Sequence, residues 1–170
     1  MKKKILSIII ILLCIFTVGC EEKEKKELEK NISETIDIDD NGASLVCTTD
    51  IDYSEYDYTL GSKYVVFADN DGKVTKIVSS EIINSNDKAK LDEFEEYLNK
   101  NHEVAGKYNG YKYDIKKENK KVISNVSIDY SEFDIKSFIK ENNITNMDEN
   151  LTVDSVEKQY VSLGAECNRK

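Results

Sequence analysis

Residues 63–83 read KYVVFADNDGKVTKIVSSEII, and this stretch decides the fold. Two β-rich runs, residues 63–68 and 73–83, flank the segment Asp69-Asn70-Asp71-Gly72. An Asp-Gly pair between two such runs is a strong signal for a β-hairpin, because glycine readily reaches the positive φ angles of a tight turn. The sequence therefore predicts an antiparallel strand pair in this stretch.

Other segments around this hairpin also have a strand pattern. Residues 43–49 are β-rich, and residues 56–60 look extended, with Gly61 expected to form a bulge or bend before the hairpin. Further along the chain, residues 111–117 and 122–130 alternate apolar and polar side chains and predict a second hairpin.

Three segments have helical periodicity. The longest follows the capping residues 85–87, a shorter one lies within residues 131–142, and residues 152–163 form a helix with Asp154 and Glu157 as a capping box. The longest helix has an apolar stripe that consists of Leu91, Phe94, Leu98 and Ala105. The order β-β-β-α-β-β-α-α predicts an α+β domain, an antiparallel β-sheet with two or three helices packed on one face.

The chain contains one internal repeat. Residues 51–58 (IDYSEYDY) and residues 128–135 (IDYSEFDI) match at six of eight positions, and the match does not extend further. A decayed duplication would explain this match, but two similar caps of the Ser-x-x-Asp type at strand exits are the simpler explanation.

The first twenty residues, MKKKILSIIIILLCIFTVGC, have the order of a secretory signal. Lysines at positions 2–4 precede an apolar run at residues 5–16, and small residues then lead to Cys20. The tetrapeptide 17–20 resembles the lipobox of bacterial lipoproteins, although Thr17 stands where that motif favours leucine. We therefore expect residues 1–19 to be a lipoprotein signal peptide and Cys20 to carry the lipid; an ordinary signal or a short anchor is the alternative.

Composition limits the domains and partners of the remaining chain. We expect residues 20–42 to comprise the lipidated cysteine and a charged, flexible tether, and residues 43–170 to form a single domain. The signal carries three of the 24 basic residues and none of the 33 acidic ones, so the rest has a formal charge of −12. Such a surface repels nucleic acid. We expect a monomer, held through its lipid on the extracytoplasmic face of the cell membrane.

Residues suited to catalysis or cofactor binding are scarce. The single histidine, His102, stands among polar neighbours, so a polar helix surface is favoured over a general base. Residues 37–42 (DIDDNG) copy the opening of a calcium loop, but Thr48 occupies the position of the bidentate glutamate, which favours an acidic turn. A second acidic cluster, in residues 50–57, is expected to be solvated. The sequence predicts no catalytic residue, no metal site and no cofactor.

Two function classes remain open. The tether, the shortage of catalytic groups and the ten tyrosines favour a non-enzymatic binding or envelope-interaction module, whose partner is an unidentified envelope protein or small molecule. The alternative is an envelope enzyme that uses the clustered carboxylates, with or without the assistance of a metal. A solute-binding component of a transporter is disfavoured, because a two-lobed domain needs a longer chain.

Cysteine usage predicts one disulfide. Cys14 is lost with the signal and Cys20 is acylated, which leaves Cys47 and Cys167 as the remaining thiols. An exported domain meets conditions in which such a pair oxidises, and two buried, unpaired cysteines are the alternative.

Three stretches resemble a known family. They are YVVFADNDGKVTKI (residues 64–77), VSIDYSEFDIKSF (residues 126–138) and LTVDSVEKQYVSLGAEC (residues 151–167). In this order, and behind the lipobox, they resemble the YehR-like bacterial lipoproteins, a family of uncharacterised function. The resemblance implies an extracytoplasmic α+β domain and brings no catalytic residue.

Overall fold

The computed structural model of the protein describes residues 36–144 and 150–170. The predicted signal peptide, the predicted lipidation site Cys20 and most of the predicted tether lie outside these residues. The described elements are β1 (Leu45–Tyr53), β2 (Tyr58–Ala68), β3 (Val74–Ser85), α1 (Lys88–Ala105), β4 (Tyr111–Glu118), β5 (Lys121–Asp129), α2 (Ile135–Glu141), α3 (Val153–Ser162) and β6 (Glu166–Arg169), with a 3-10 turn (Ser54–Tyr56) between β1 and β2.

The six strands form one antiparallel sheet in the order β4-β5-β3-β2-β1-β6. The predicted hairpin of β2 and β3 lies in the middle of the sheet, and the predicted β4–β5 hairpin forms one edge. Together with three helices, this sheet confirms the α+β prediction.

The turn between β2 and β3 is held by Asp69. Its Oδ1 accepts hydrogen bonds from the backbone N–H groups of Asp71, at 3.0 Å, and Lys73, at 2.9 Å. Gly72 has a φ of 76°, which a side chain would strain. The expectation of a bulge at Gly61 is wrong, because this residue pairs in unbroken register with strands on both sides. The register shift lies at the other end of β2, between Phe67 and Ala68.

All three helices pack against the same side of the sheet, which we call the helix-facing side. Helix α3 covers an apolar cluster that includes Leu45, Cys47, Tyr64, Val66 and Ile77. Helix α1 covers a cluster with Ile83 and Val122, and Phe138 of α2 joins a third cluster with Tyr111, Val126 and Ile128. The strand register places all of these strand residues on one side, which confirms the predicted packing of the helices on one face.

The helix N-termini are capped by short polar side chains. Asp87 caps α1 and accepts from the N–H groups of Ala89 and Lys90, in agreement with the capping predicted at residues 85–87. The capping box of α3 consists of Thr152 and Ser155, each accepting a hydrogen bond from the backbone N–H of the other. The predicted box is therefore wrong, because Asp154 and Glu157 lie inside the helix, where both contact Arg169.

Residues 36–42, which the sequence assigned to the tether, contact the side of the sheet opposite the helices. Ile36 is buried, and the Lys63 ammonium donates to the carbonyl oxygen of Ile38 at 3.0 Å. Asp40 forms an ion pair with Lys170, also at 3.0 Å. The exact boundary between tether and domain stays a prediction.

No helix in the described part of the chain has the length and apolar character that crossing a bilayer requires.

A disulfide joins Cys47 to Cys167, as predicted. The two residues lie directly opposite each other on β1 and β6, with their Cα atoms 4.0 Å apart and a separation of 120 positions in sequence. The bond therefore fastens the short C-terminal edge strand to the first strand of the domain.

We expect the disulfide to stabilise the domain by up to about 5 kcal/mol, since the chain-entropy model gives about that value for a loop of this length. In chemical denaturation, the double variant Cys47→Ala/Cys167→Ala should lose a large part of this free energy of unfolding. The single variant Cys167→Ala breaks the same bond and keeps the buried Cys47 side chain, so the difference between the variants reports the packing of Cys47 alone. Thiol counting on denatured, unreduced protein isolated from its native cells should find no free thiol at either position. Two free thiols there, or variants as stable as the wild type, would contradict the expectation.

Candidate functional site

In the described part of the chain, a group of seven neighbouring polar side chains is buried between the sheet and the helices, and none is more than 6% exposed. Six belong to strands and one to helix α1. We call this set, which comprises Ser62, Tyr64, Ser79, Glu81, His102, Tyr111 and Ser124, the polar cluster. Polar groups in such a position have to be hydrogen-bonded or neutral, because an unpaired buried charge is strongly unfavourable.

Glu81 lies at the centre of the polar cluster. It belongs to the central strand β3, and the register places Ser62 of β2 and Ser124 of β5 directly opposite it on either side. The Tyr64 hydroxyl donates a hydrogen bond of 2.7 Å to Oε1 of Glu81. Burial raises the pKa of Glu81 to about 7, although the bond from Tyr64 acts in the opposite direction.

Tyrosines surround this carboxyl. The ring of Tyr64 stacks on that of Tyr160 from α3, with centroids 4.3 Å apart. Tyr111 and Tyr160 both lie close enough to Glu81 for its negative charge to contribute to raising the pKa of their phenols. Burial, with the nearby carboxylate, raises the pKa of all three phenols, so they stay neutral and act as hydrogen-bond donors or acceptors.

His102 lies on the other flank of the polar cluster. Its Nδ1 is 2.7 Å from the Tyr111 hydroxyl, and its Nε2 is 3.1 Å from the Ser124 hydroxyl. The Tyr113 ring stacks on the imidazole at 5.2 Å between centroids. Burial lowers the pKa of His102 to about 4, so the ring is neutral at physiological pH.

The prediction that His102 lies on a polar helix surface is wrong, because the side chain is only 1% exposed. The residue follows the buried Leu98 by four positions and precedes the buried Ala105 by three, so it falls on the apolar stripe of α1. This spacing was visible in the sequence. The polar neighbours at positions 100, 101 and 103 point elsewhere on the helix.

Glu81 was missed for a different reason. It alternates with Ile77, Ser79 and Ile83, a pattern that places one carboxyl on a side of β3 that otherwise has isoleucines and a serine. The opposite side of the strand includes the buried Ile82, so alternation alone does not show which side faces the helices. Only the register with Ser62 and Ser124 reveals a polar row across the sheet.

The bonds between Ser124, His102 and Tyr111 resemble a hydroxyl nucleophile next to an oriented base. Ser124 and His102 are each 1% exposed, however, so a substrate could reach them only if α1 moved away from the sheet. As the structure stands, both imidazole nitrogens are hydrogen-bonded, and the network fastens α1 to the β4–β5 hairpin.

Side chains in residues 37–42, the segment that resembles the opening of a calcium loop, make other contacts. Asp39 Oδ1 accepts from the N–H of Asn41 at 3.0 Å, as in an acidic turn, and the Lys170 ammonium lowers the pKa of Asp40. Among residues 36–144 and 150–170, no group of three or more His, Cys, Asp or Glu side chains is arranged to hold a metal ion.

The exposed side of α1 borders an open depression of about 320 Å³. It is lined by Asp92, Glu95, Glu96, Asn99, Lys100 and Glu103. Lys117 of β4 forms ion pairs with Asp92 and Glu95, so these two carboxylates tie the helix to the sheet. We assign no ligand to this depression.

No protein-family model matches this chain, and no curated protein sequence matches it. Structural neighbours include the NMR structure of the E. coli YehR protein, at 17% identity and a TM-score of 0.49, over 73% of this chain and 90% of that one. The NMR structure of a protein from Streptococcus pneumoniae TIGR4 is similar at 16% identity and a TM-score of 0.44, over 89% of this chain and all of that one. Neither similarity assigns a ligand, a partner or a site residue.

The polar cluster contains two groups whose ionisation makes the stability of the fold depend on pH in opposite directions. Glu81 ordinarily ionises near 4.5 and in the fold near 7, so between these values the unfolded chain holds fewer protons and a rise in pH favours unfolding. His102 ordinarily loses its proton near 6.5 and in the fold near 4, so a rise in pH favours folding between these values. The other groups that face them, Tyr64, Tyr111 and Tyr160, stay neutral. From pH 4.5 to 6.5 the two effects cancel.

We therefore expect Glu81→Gln to make the free energy of unfolding rise between pH 4.5 and 6.5, and His102→Gln to make it fall, each by up to about 3 kcal/mol relative to wild type. Chemical denaturation at several pH values measures these slopes. The control Glu96→Gln changes an exposed carboxyl on α1 and should parallel the wild type. The explanation fails if both cluster variants also parallel it.

Proposed function

We propose that this chain is a lipoprotein anchored through Cys20 to the extracytoplasmic face of the cell membrane, and that its domain is a non-enzymatic binding module. The observation that carries the proposal is the disulfide between Cys47 and Cys167, which joins the first and last strands. Such bonds persist in oxidising compartments outside the cytoplasm, where a secretory signal would deliver the chain.

The burial of the polar cluster supports binding over catalysis. The single histidine and its hydroxyl partner Ser124 are enclosed between α1 and the sheet, and Glu81 is only 6% exposed. A general base or nucleophile has to come within hydrogen-bond reach of its substrate. Recognition by surface side chains is compatible with a closed core of this kind, and an envelope protein or a small molecule is the expected partner.

We further propose that the chain is a member of the YehR-like lipoproteins, on the strength of the three sequence stretches. Residues 64–77 form the end of β2, its turn and the start of β3. Residues 126–138 run from β5 into α2, and residues 151–167 comprise α3 and the start of β6. Each stretch therefore includes a connection between two elements of the domain.

An envelope enzyme that uses clustered carboxylates, with or without a metal, is the alternative. Several described carboxylates are already engaged in ion pairs. Lys117 contacts Asp92 and Glu95, and Arg169 contacts Asp154 and Glu157. This pairing favours structural roles for these acids, and the binding module is the better-supported class.

Lipidation gives a direct test. Cys20→Ala removes the thiol that would receive the lipid, so palmitate labelling should be abolished and the protein should stay unprocessed or leave the membrane fraction. Cys167→Ala is the matched control, because it removes a different cysteine and should leave labelling intact. If the wild type takes up no palmitate and Cys20→Ala fractionates identically, the anchor is refuted.

The second test concerns activity. We expect no intrinsic turnover when the purified, membrane-extracted protein is screened against hydrolase substrates, with and without divalent metals. A trace activity from a contaminant should survive Glu81→Gln, His102→Gln and every single substitution of the exposed clustered carboxylates. Turnover that a single carboxylate substitution abolishes would replace the binding module with the enzyme.

A further inference from the structure

The repeated motif is used in two different structural settings. In both copies the aspartate caps the strand exit, since Asp52 Oδ1 accepts from the N–H of Ser54 at 2.7 Å and Asp129 Oδ1 accepts from that of Ser131 at 3.0 Å. The predicted Ser-x-x-Asp caps are therefore wrong, and the shared turn is of the Asp-x-Ser type. The two copies differ in the environment of the aromatic residue two positions after this serine, which is Tyr56 in the first copy and Phe133 in the second.

In the second copy this aromatic residue belongs to the core. Phe133 is 4% exposed and packs edge-on or tilted against Tyr108 and Phe138, with ring centroids 5.8 and 5.3 Å away. Asp134 then caps α2 by accepting from the N–H of Ser137. The second copy thus closes the hydrophobic core and starts a helix.

In the first copy the equivalent residue, Tyr56, is 51% exposed. It stands in the 3-10 turn between β1 and β2, at the end of the sheet beside α1. A row of half-buried rings lies next to it: Tyr53 and Tyr58 have centroids 4.9 Å apart, and Tyr58 meets Phe94 of α1 at 5.1 Å. We call residues 52–58 together with Phe94 the aromatic tip.

The aromatic tip includes three exposed carboxylates, those of Asp52, Glu55 and Asp57. Lys90 pairs with Asp57 at 3.4 Å and also donates to the Tyr56 carbonyl oxygen. Within the described residues, neither Asp52 nor Glu55 makes an ion pair. The tip therefore combines tyrosine rings and hydroxyls with an excess of negative charge.

We propose that the aromatic tip is the docking surface of the binding module, and that it binds an arginine- or lysine-bearing segment of a partner protein. The inference rests on the proposed function. Carboxylates complement such a segment, and tyrosine faces attract its cations. A second copy of this chain is a poorer occupant, because two bodies of formal charge −12 repel each other. Tyrosine is also among the residues that contribute most at protein interfaces.

The test uses the full chain in uncharged detergent micelles and a fluorescent peptide of alternating arginine and glycine as the probe. We expect anisotropy to show binding that weakens as salt is added, because exposed charges are screened. The double variant Glu55→Gln/Tyr56→Ala should weaken binding about tenfold or more, the effect of losing one interface hot spot. Both side chains are exposed, so the variant should keep the wild-type melting temperature.

The matched control is Glu132→Gln, which changes the equivalent glutamate of the second copy and should leave affinity unchanged. An alternating glutamate–glycine peptide should not bind. Equal affinities for wild type and the tip variant would overturn the tip as the site and leave the binding module standing. No binding of the arginine peptide, or equal binding of the acidic one, would overturn the proposed charge of the partner. Palmitate labelling and turnover test the proposed function separately from all of these outcomes.

Discussion

The carboxyl of Glu81 lies on the central strand with helices packed over that side of the sheet, and the surrounding structure has to accommodate it. A carboxylate without partners in this position would be strongly destabilising. The fold meets the constraint with the hydrogen bond from Tyr64 and with small hydroxyl residues on both flanking strands. The raised pKa of Glu81 allows the group to hold its proton at mildly acidic pH. Tyr160 covers the Tyr64 ring, so this polar centre also locates helix α3.

A single row of residues connects this centre with both edges of the sheet. The register runs from Cys167 on β6 through Cys47 on β1, Tyr64 on β2, Ser79 on β3 and Val126 on β5 to Tyr113 on β4. The disulfide closes one end of the row, and at the other end Tyr113 stacks on His102 of α1. The disulfide and the ring contact with the buried histidine therefore hold opposite ends of the same cross-strand row. The short edge strand is held covalently, and the other edge is held by the helix above it.

Local chemistry was enough to predict the two hairpins and the long helix, because turn residues and apolar spacing depend on near neighbours in sequence, and the order of the elements predicted helices on one face of the sheet. Long-range pairing was harder. The bend expected at Gly61 and the box expected at Asp154 were both reasonable locally and wrong, since strand register and the contacts of Arg169 decide those positions. His102 shows the same effect in the candidate site: its polar neighbours suggested the surface, whereas its spacing from Leu98 and Ala105 determined its burial.

The two copies of the repeated motif show why residue identity alone does not identify a binding surface. Both provide a strand-exit cap from the same aspartate and serine. After β5 the chain turns under α2, and the aromatic side chain at that position, Phe133, is enclosed. After β1 it returns at once as β2, so the aromatic side chain of Tyr56 remains at the surface beside acidic neighbours. Glu81 and His102 are used inside the core, whereas surface side chains such as Tyr56 are not needed by the fold for its own packing, and the proposed recognition therefore rests on them.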